Sequence, residues 1–239
     1  MHGIEALAFD VGGTVFDWQT PIRQAIKSLA DERDARVDPK EFALAWRTGM
    51  FAVLAQVRQG DLAWMNADQM HRLVLDDLAQ KYPALELSEY DRDELNQVWH
   101  QLKAWPEFPA ALLRLRQEYK VIVLTVLSWS IAIDCSRCSG ISWDGILSCE
   151  FLGHYKPESQ VYHAGARLLG LEPDQVMMVA SHAVDLRGAK AAGLHTAYVD
   201  PKSDEPDFLG FADTDPQEFD LWVSDFTKLA DRLCSRVTK

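Results

Sequence analysis

The fold of this chain is decided by its opening stretch, Ala6-Leu7-Ala8-Phe9-Asp10-Val11-Gly12-Gly13-Thr14. A short apolar run bounded by a polar group and turn residues is typical of a strand that is buried on both faces. The two glycines after Asp10 favour a tight turn, because glycine has no side chain to restrict its backbone. We therefore predict a buried first strand that ends at Asp10.

The second half of the chain, from Trp105 onward, alternates helical periods with short apolar runs. This alternation indicates a parallel sheet with helices on both faces, and the opening strand belongs to that sheet. Pro157 is expected at a helix start, and Gly170 and Gly193 just past two helix ends. The predicted strands span 121–125, 145–147, 176–180, 196–199 and 221–223, and the predicted helices 109–118, 130–138, 157–169, 184–192 and 225–235.

Residues 17–104 carry only helical signals. Thr20-Pro21 predicts an N-cap followed by proline at the first helical position, and Asp38-Pro39-Lys40-Glu41 predicts a capping box. Asn66 and Ser88 are expected to cap two further helices. The predicted fold is α/β, with a Rossmann-like parallel-sheet core of residues 1–16 and 105–239, an inserted all-helical cap of residues 17–104, and hinges near Asp17 and Trp105.

Composition restricts the classes of partner. The 239 residues are 48% hydrophobic and 25% charged, which is typical of a globular protein, and no apolar run approaches the roughly 20 residues of a membrane-spanning helix. Lys and Arg number 24 against 36 Asp and Glu, a formal charge of −12, which argues against nucleic acid or an anionic membrane as a partner. The start of the chain lacks a secretion signal, so a cytoplasmic location is expected. A small anionic substrate would need local cations.

The four cysteines include the pair Cys135 and Cys138, whose spacing occurs in zinc and redox motifs. A zinc site needs four ligands, and Cys149 and Cys234 form no second close pair. We interpret these thiols as packing groups, with a redox pair as the alternative.

Several polar groups fall at or just beyond the predicted strand ends: Asp10, Thr125, Lys156 and Asp185. In parallel sheets, ligands bind at the carboxyl ends of the strands. A carboxylate there can act as a nucleophile if a nearby cation keeps it ionised and oriented. We predict that Lys156 is this cation, that Asp185 pairs with it or orients a water, and that Thr14 lies near Asp10.

Each of these residues also has a structural interpretation. A lone Asp after a strand more often forms a turn, a lone Lys-Pro carries no information, and an Asp before a helix is usually a cap. Their order and their coincidence with strand ends favour a site.

Four segments resemble motifs of the haloacid dehalogenase superfamily. Residues 9–17, Phe-Asp-Val-Gly-Gly-Thr-Val-Phe-Asp, are similar to its first motif, and Leu124-Thr125 to its second. Residues 154–162, His-Tyr-Lys-Pro-Glu-Ser-Gln-Val-Tyr, and 179–186, Val-Ala-Ser-His-Ala-Val-Asp-Leu, are similar to the third and fourth. In the helical insertion, residues 45–47, 57–60, Trp64 and 71–72 resemble the type II 2-haloacid dehalogenases.

The resemblance implies a metal-independent hydrolase without a cofactor. Asp10 would displace halide from a 2-haloalkanoate and form an ester on its own side chain, which water then hydrolyses. Lys156, Asp185 and Thr14 would serve as catalytic residues beside it, and Arg47 would receive the halide. The residues expected to bind substrate are Arg47, Thr125, Gly12, Val126, Trp64, Ser181 and His182.

The chain also departs from this pattern. Familiar members place an aromatic residue at Gly12, an Asn at Val126 and often an aromatic residue at Val184. The departures imply either an altered substrate or a pocket refilled by Trp64, Trp129 and His182. His182 is either a base that orients water or a structural imidazole, and Ser128 is a candidate replacement for the missing amide.

Two other functions stay open. Magnesium-dependent phosphatases of the superfamily carry a second Asp where this chain has Gly12, and an acidic residue where it has Ser181, so this alternative is weaker. A degenerate member could instead bind an anion or a partner without turnover. A homodimer is possible, because many cap-bearing relatives dimerise.

Overall fold

The opening strand lies in the middle of a six-stranded parallel sheet. The structure is a computed structural model that describes residues 3–202 and 214–234. The order across the sheet is β5-β4-β1-β6-β7-β8, and a separate antiparallel pair is formed by β2 and β3. The strands are β1 (Ala6–Phe9), β2 (Phe16–Asp17), β3 (Lys103–Ala104), β4 (Lys120–Thr125), β5 (Gly145–Ser148), β6 (Val176–Ala180), β7 (His195–Val199) and β8 (Leu221–Val223).

The register of β1 explains why the sequence places Asp10 at a ligand-binding edge. Phe9 is level with Val123 of β4 on one side and Val179 of β6 on the other, so all three strands end close together. Every residue of β1 is buried, as expected of a strand covered on both faces. The predicted α/β fold with a parallel sheet is confirmed, and each sheet strand lies within one residue of its predicted bounds.

Helices occupy the insertion between β2 and β3 and the connections of the sheet. Single turns of 3₁₀ helix lie at Pro83–Leu85, Val98–Gln101, Cys149–Phe151 and Pro173–Gln175. The α-helices are α1 (Gln19–Glu32), α2 (Pro39–Gln59), α3 (Ala67–Lys81), α4 (Glu89–Gln97), α5 (Phe108–Glu118), α6 (Trp129–Cys138), α7 (Ser159–Leu168), α8 (Ala183–Ala191) and α9 (Phe226–Cys234).

Asn66, Ser88 and Asp38 each cap the predicted helix, but the capping box predicted between Asp38 and Glu41 is not formed. Asn66 and Ser88 form complete capping boxes at α3 and α4. The Asp38 side chain accepts a hydrogen bond from the Lys40 backbone N–H at 2.8 Å, which caps α2.

Two predicted helix starts are wrong. α1 begins at Gln19 rather than after Thr20, because the Asp17 carboxylate accepts from the Thr20 backbone N–H at 3.1 Å and replaces the expected cap. Helix α7 begins at Ser159, so Pro157 lies before the helix, where a cis peptide bond joins it to Lys156.

The core has aromatic clusters in both parts of the chain. Phe9, Phe108 and Phe226 contact one another with ring centroids 4.8–6.4 Å apart beneath the sheet. In the helical insertion, Trp46 and Trp99 are fully buried and meet edge to face at 5.6 Å. Among the described residues, none of the helices has both the length and the apolar character needed to cross a membrane.

Burial raises the pKa of the thiols of Cys135 and Cys149 to about 12, so both are protonated at neutral pH. All four cysteines are free. These observations support the packing interpretation for Cys135 and Cys149, because thiolates are the reactive form, whereas Cys138 is exposed.

Candidate active site

Asp10 lies directly after β1 and receives contacts from three side chains. The Thr14 hydroxyl donates to Asp10 Oδ2 at 2.7 Å, and the Lys156 ammonium donates to Oδ1 at 3.2 Å. His182 Nδ1 lies 3.2 Å from Oδ2. Asp10 is only 5% exposed, so these partners replace the water that a carboxylate needs.

The turn after Asp10 brings Thr14 back to it. The backbone N–H groups of Val15 and Phe16 both donate to the Val11 carbonyl, which closes the turn. Gly13 has a φ of +88°, and a Cβ there would lie 3.2 Å from His182 Nε2. Glycine is therefore required by the backbone conformation, and its missing Cβ leaves room for the imidazole.

Lys156 lies between two buried carboxylates. Its ammonium donates to Asp185 Oδ2 at 2.7 Å as well as to Asp10. Asp185 is in the first turn of α8, which follows β6 at the same edge of the sheet. Gly188 permits this arrangement, because a Cβ there would lie 2.6 Å from Pro157 and 2.8 Å from the Tyr162 hydroxyl.

The pKa values of the Asp10 and Asp185 carboxyl groups are shifted in opposite directions. Burial alone would raise the pKa of Asp10, but the Lys156 ammonium and then His182 outweigh it and hold this pKa well below its usual range. Burial and the nearby Asp10 charge raise the pKa of Asp185, against the effect of Lys156. The paired carboxylates raise the pKa of Lys156 despite its burial. Asp10 is thus the more acidic of the two carboxyl groups and is ionised at neutral pH.

Tyr162 is a site residue that the sequence analysis did not identify. Its hydroxyl donates to Asp185 Oδ1 at 2.7 Å and also lies 3.0 Å from the Asp185 carbonyl oxygen. Burial, and then the Asp185 charge, raise the pKa of Tyr162, so the hydroxyl stays a donor. The available signal was its position in the first turn of α7, a few residues after Lys156.

Arg47 reaches the site from α2. Its Nη2 donates to the Gly12 carbonyl at 3.1 Å. The guanidinium carbon lies 4.7 Å from the ring centroid of Phe51 and 5.2 Å from that of Trp18. Such aromatic packing suits a guanidinium, which is weakly hydrated and binds ring faces. The interpretation of Arg47 as an inward-facing cation is supported, because it is 3% exposed.

Three other residues predicted to bind substrate lie at or just after the ends of β4 and β6. The Ser181 backbone N–H donates to Thr14 Oγ1 at 3.0 Å, which ties the loop after β6 to the Asp10 turn. Thr125 is buried at the end of β4, where its hydroxyl accepts from the Leu127 backbone N–H at 3.1 Å. Val126 is half-buried next to it. Leu127 packs across Gly12, 3.2 Å from where a Cβ would be.

The two tryptophans considered for refilling the pocket are each about half exposed. Trp64 is 45% exposed and stacks on Tyr155 with a centroid distance of 4.5 Å. Trp129 is 47% exposed and meets Phe151 edge to face. The Ser128 hydroxyl donates to the Asp68 carboxylate rather than replacing an amide beside Thr125. Among these candidates, His182 is the one that contacts Asp10.

The donor set at Asp10 is poorly suited to a divalent metal ion, which prefers several oxygen ligands. In residues 3–202 and 214–234, no group of three or more His, Cys, Asp or Glu side chains is arranged to hold one. Between Asp10 and Asp185 lies the Lys156 ammonium, within hydrogen-bond distance of both carboxylates.

The chain matches a known protein family over most of its length. The family model of the haloacid dehalogenase-like hydrolases matches residues 4–193. The chain therefore belongs to this family of hydrolases.

Two of the proteins to which the chain is similar are dehalogenases. The chain is similar to (S)-2-haloacid dehalogenase 4A of Burkholderia cepacia, with 27% identity over 100% of this chain and 99% of the relative. It is also similar to haloacetate dehalogenase H-2 of Moraxella sp. (strain B), with 25% identity over 83% of this chain and 87% of the relative.

Two solved structures have a similar fold over nearly the whole chain. One is an L-2-haloacid dehalogenase, with a TM-score of 0.87 and 32% identity over 98% of this chain and 100% of the other. The second is a defluorinating L-2-haloacid dehalogenase, with a TM-score of 0.86 and 31% identity over 96% and 95% of the two chains.

Proposed function

We propose that this protein is a metal-independent 2-haloacid dehalogenase that acts through an ester on Asp10. The observation that carries the proposal is the state of Asp10: buried, ionised and in contact with the Lys156 ammonium. Gly12 stands two residues later, where a phosphatase of this superfamily has a second carboxylate. The named relatives support the same class of reaction.

In the first half-reaction, Asp10 acts as the nucleophile. An electron pair of its carboxylate forms a bond to Cα of the haloacid, and the carbon–halogen bond breaks with its electron pair leaving on the halide. Halide departs without a proton, so no general acid is required. We assign Arg47 as the cation that receives the halide, because its guanidinium is desolvated and lies at Gly12, next to the nucleophile's turn.

In the second half-reaction, a water molecule attacks Cγ of the Asp10 ester. The bond between Cγ and the ester oxygen then breaks, which releases a 2-hydroxyacid and regenerates the carboxylate. The water must lose a proton, and the product alkoxide must gain one. Asp185 already accepts from Lys156 and Tyr162, one at each carboxylate oxygen. His182 is half-buried and lies 3.2 Å from Asp10, so we assign it as the group that takes the proton from water and returns it to the product alkoxide.

Replacing His182 with Asn is expected to slow hydrolysis of the ester more than its formation. A general base contributes about 10²–10⁴-fold to a rate, and the first half-reaction needs none. Mixing this variant with 2-bromopropionate should give a burst of bromide equal to the enzyme concentration, followed by slow turnover. Mass spectrometry of the quenched enzyme should find the ester on the peptide that contains Asp10.

The matched control for this experiment is His163→Asn. His163 lies on α7 and is exposed, and its Nε2 is 2.9 Å from the carbonyl oxygen of Ala192, which follows the end of α8. It should show wild-type kinetics. Unchanged turnover by the His182 variant, or loss of the halide burst, would remove His182 from the hydrolysis step.

The helices of residues 17–104 form the cap in this proposal, over a core of residues 1–16 and 105–239. The β2–β3 pair joins the two parts, with Phe16 level with Ala104. Arg47 enters the site from the cap side. Closure would exclude water while the carboxylate attacks carbon, which preserves its nucleophilicity.

The test of the proposed function is a parallel screen for halide and phosphate release. Both enantiomers of 2-chloropropionate, with chloroacetate and fluoroacetate, should be compared with small phosphate esters, each with and without excess chelator. We expect halide release from at least one haloacid, unaffected by the chelator, because the charge beside Asp10 is supplied by Lys156. Magnesium-dependent phosphate release would instead establish a phosphatase, and release of neither ion would favour a binding protein.

A further inference from the structure

A histidine outside the catalytic centre joins the helical insertion to the sheet. His100 lies in the 3₁₀ turn Val98–Gln101, near the end of the insertion. Its Nδ1 is 2.7 Å from Asp134 Oδ2 on α6, and its Nε2 is 2.8 Å from Asp68 Oδ1 on α3. One imidazole therefore lies between a carboxylate of the insertion and a carboxylate of the sheet part. We call these three residues the His100 clasp.

The clasp reaches the loop that follows β4. Asp68 Oδ2 accepts from the Ser128 hydroxyl and lies 3.4 Å from the Ser130 hydroxyl. Ser128 is 1% exposed and lies at the start of α6, three residues after Thr125. The position of Asp68 thus helps to fix the 126–128 segment beside the site.

The geometry requires a charged imidazole. A neutral imidazole has one N–H and one lone pair, so one carboxylate would face a lone pair, whereas the imidazolium donates to both. Three other titratable side chains lie nearby: His71 on α3, Cys138 on α6 and Lys103 on β3. Burial, and then the Arg47 charge, lower the pKa of His71 to about 3. Helices α1 and α4 also pack on this turn, but no described charged group on them forms an ion pair with His100.

We propose that protonated His100 is a positioning residue that holds the helical insertion closed on the sheet and keeps the 126–128 segment in place. Loss of its proton releases this link. The consequence for catalysis rests on the proposed dehalogenase function, whereas the consequence for closure does not.

The direction of the pH effect follows from linkage. The hydrogen bond to Asp68 raises the pKa of His100, burial opposes it, and Asp134 adds to the rise. A group whose pKa is raised in the closed state stabilises that state below its ordinary value of 6.5, and this stabilisation is lost as the pH rises through the raised value. Closure should therefore weaken as the pH rises above 6.5.

A second link provides a control. Arg58 Nε on α2 donates to Glu158 Oε1 at 2.8 Å, also between the insertion and the sheet part. Arginine stays charged throughout the pH range of an assay, and Arg58 together with His154 opposes the effect of burial and lowers the pKa of Glu158. Weakening this link should loosen closure equally at all alkaline pH values.

The test compares Asp134→Asn, His100→Gln and the control Arg58→Gln with the wild type between pH 6 and 10. Asp134 has a side-chain exposure of 48% and lies outside the catalytic centre, so its replacement should not disturb the fold. Two quantities are measured: kcat/KM on the haloacid identified in the screen, and hydrogen-exchange protection factors for residues 64–72 and 126–132, corrected for the intrinsic effect of pH.

In the wild type, both quantities should fall together on the alkaline side. Asp134→Asn should move the midpoint of this fall down by about one pH unit, because one of the two anions beside His100 is gone. His100→Gln should give low protection at all pH values, and Arg58→Gln should lower protection without moving the midpoint. An unmoved midpoint and unchanged protection in Asp134→Asn would overturn the clasp. The protection factors test the clasp even if the protein turns over no haloacid. Absence of turnover would contradict the proposed function and not the clasp.

Discussion

Replacing Asp10 with Asn is expected to lower kcat for the haloacid substrate by at least about 10⁵-fold, as expected for loss of a nucleophile. The amide has nearly the shape of the carboxylate but no negatively charged oxygen with which to attack carbon. The fold should survive, because Lys156 keeps its shorter contact to Asp185 at 2.7 Å and the amide can still accept from Thr14. Halide release measured with a single turnover of enzyme checks the loss of chemistry directly.

The control is Asp174→Asn, since Asp174 is exposed in the 3₁₀ turn Pro173–Gln175 before β6. It should match the wild type in kcat and in thermal unfolding. Turnover by the Asp10 variant within tenfold of the wild type, with a mass spectrum that confirms Asn at position 10, would contradict nucleophilic attack by this side chain.

Replacing Lys156 with Met is expected to reduce kcat by about 10³-fold or more and to destabilise the protein. Both carboxylates lose their shared cation, and breaking a buried ion pair by removing one partner costs about 3–5 kcal/mol. Without the ammonium, burial and mutual repulsion would raise the pKa of Asp10, so less of it would be ionised. Denaturant unfolding and a pH profile of single-turnover halide release measure the two effects.

The pH dependence of this destabilisation has a definite sign. In the wild type, the Asp10 pKa lies below its unfolded value of 3.8, so its stabilising effect is present above that value and is lost on further acidification. In the Met variant the carboxylates bind protons more readily, so the stability gap to the wild type should narrow as the pH falls from 8 toward 5. The control Lys120→Met, at an exposed position of β4, should show no gap. A pH-independent gap at Lys156 would show that its charge does not hold Asp10 ionised.

Much of the fold was predictable because its strands are short apolar runs bounded by turn residues. The predicted bounds of β1, β6 and β8 match the structure. The β2–β3 pair was missed, because strands of two residues leave no periodic pattern. The start of α1 was misplaced because Asp17, which precedes the helix, competes with Thr20 as the capping side chain.

The candidate site was predictable where residues follow strands of the parallel sheet. Asp10 and Asp185 follow β1 and β6, and their approach to Lys156 follows from the shared edge. The contact of Tyr162 with Asp185 depends on how α7 packs against α8, which no local pattern encodes. The His100 clasp was missed for the same reason, since its three residues belong to separate elements.

The most direct test of the covalent mechanism is a single turnover in water enriched in ¹⁸O, with enzyme in excess over the haloacid. The ester oxygen that leaves with the product comes from Asp10, so the 2-hydroxyacid should be unlabelled and one ¹⁸O atom should appear in the peptide that contains Asp10. Label found in the 2-hydroxyacid, with none in that peptide, would mean that water attacks the haloacid directly and would contradict the account.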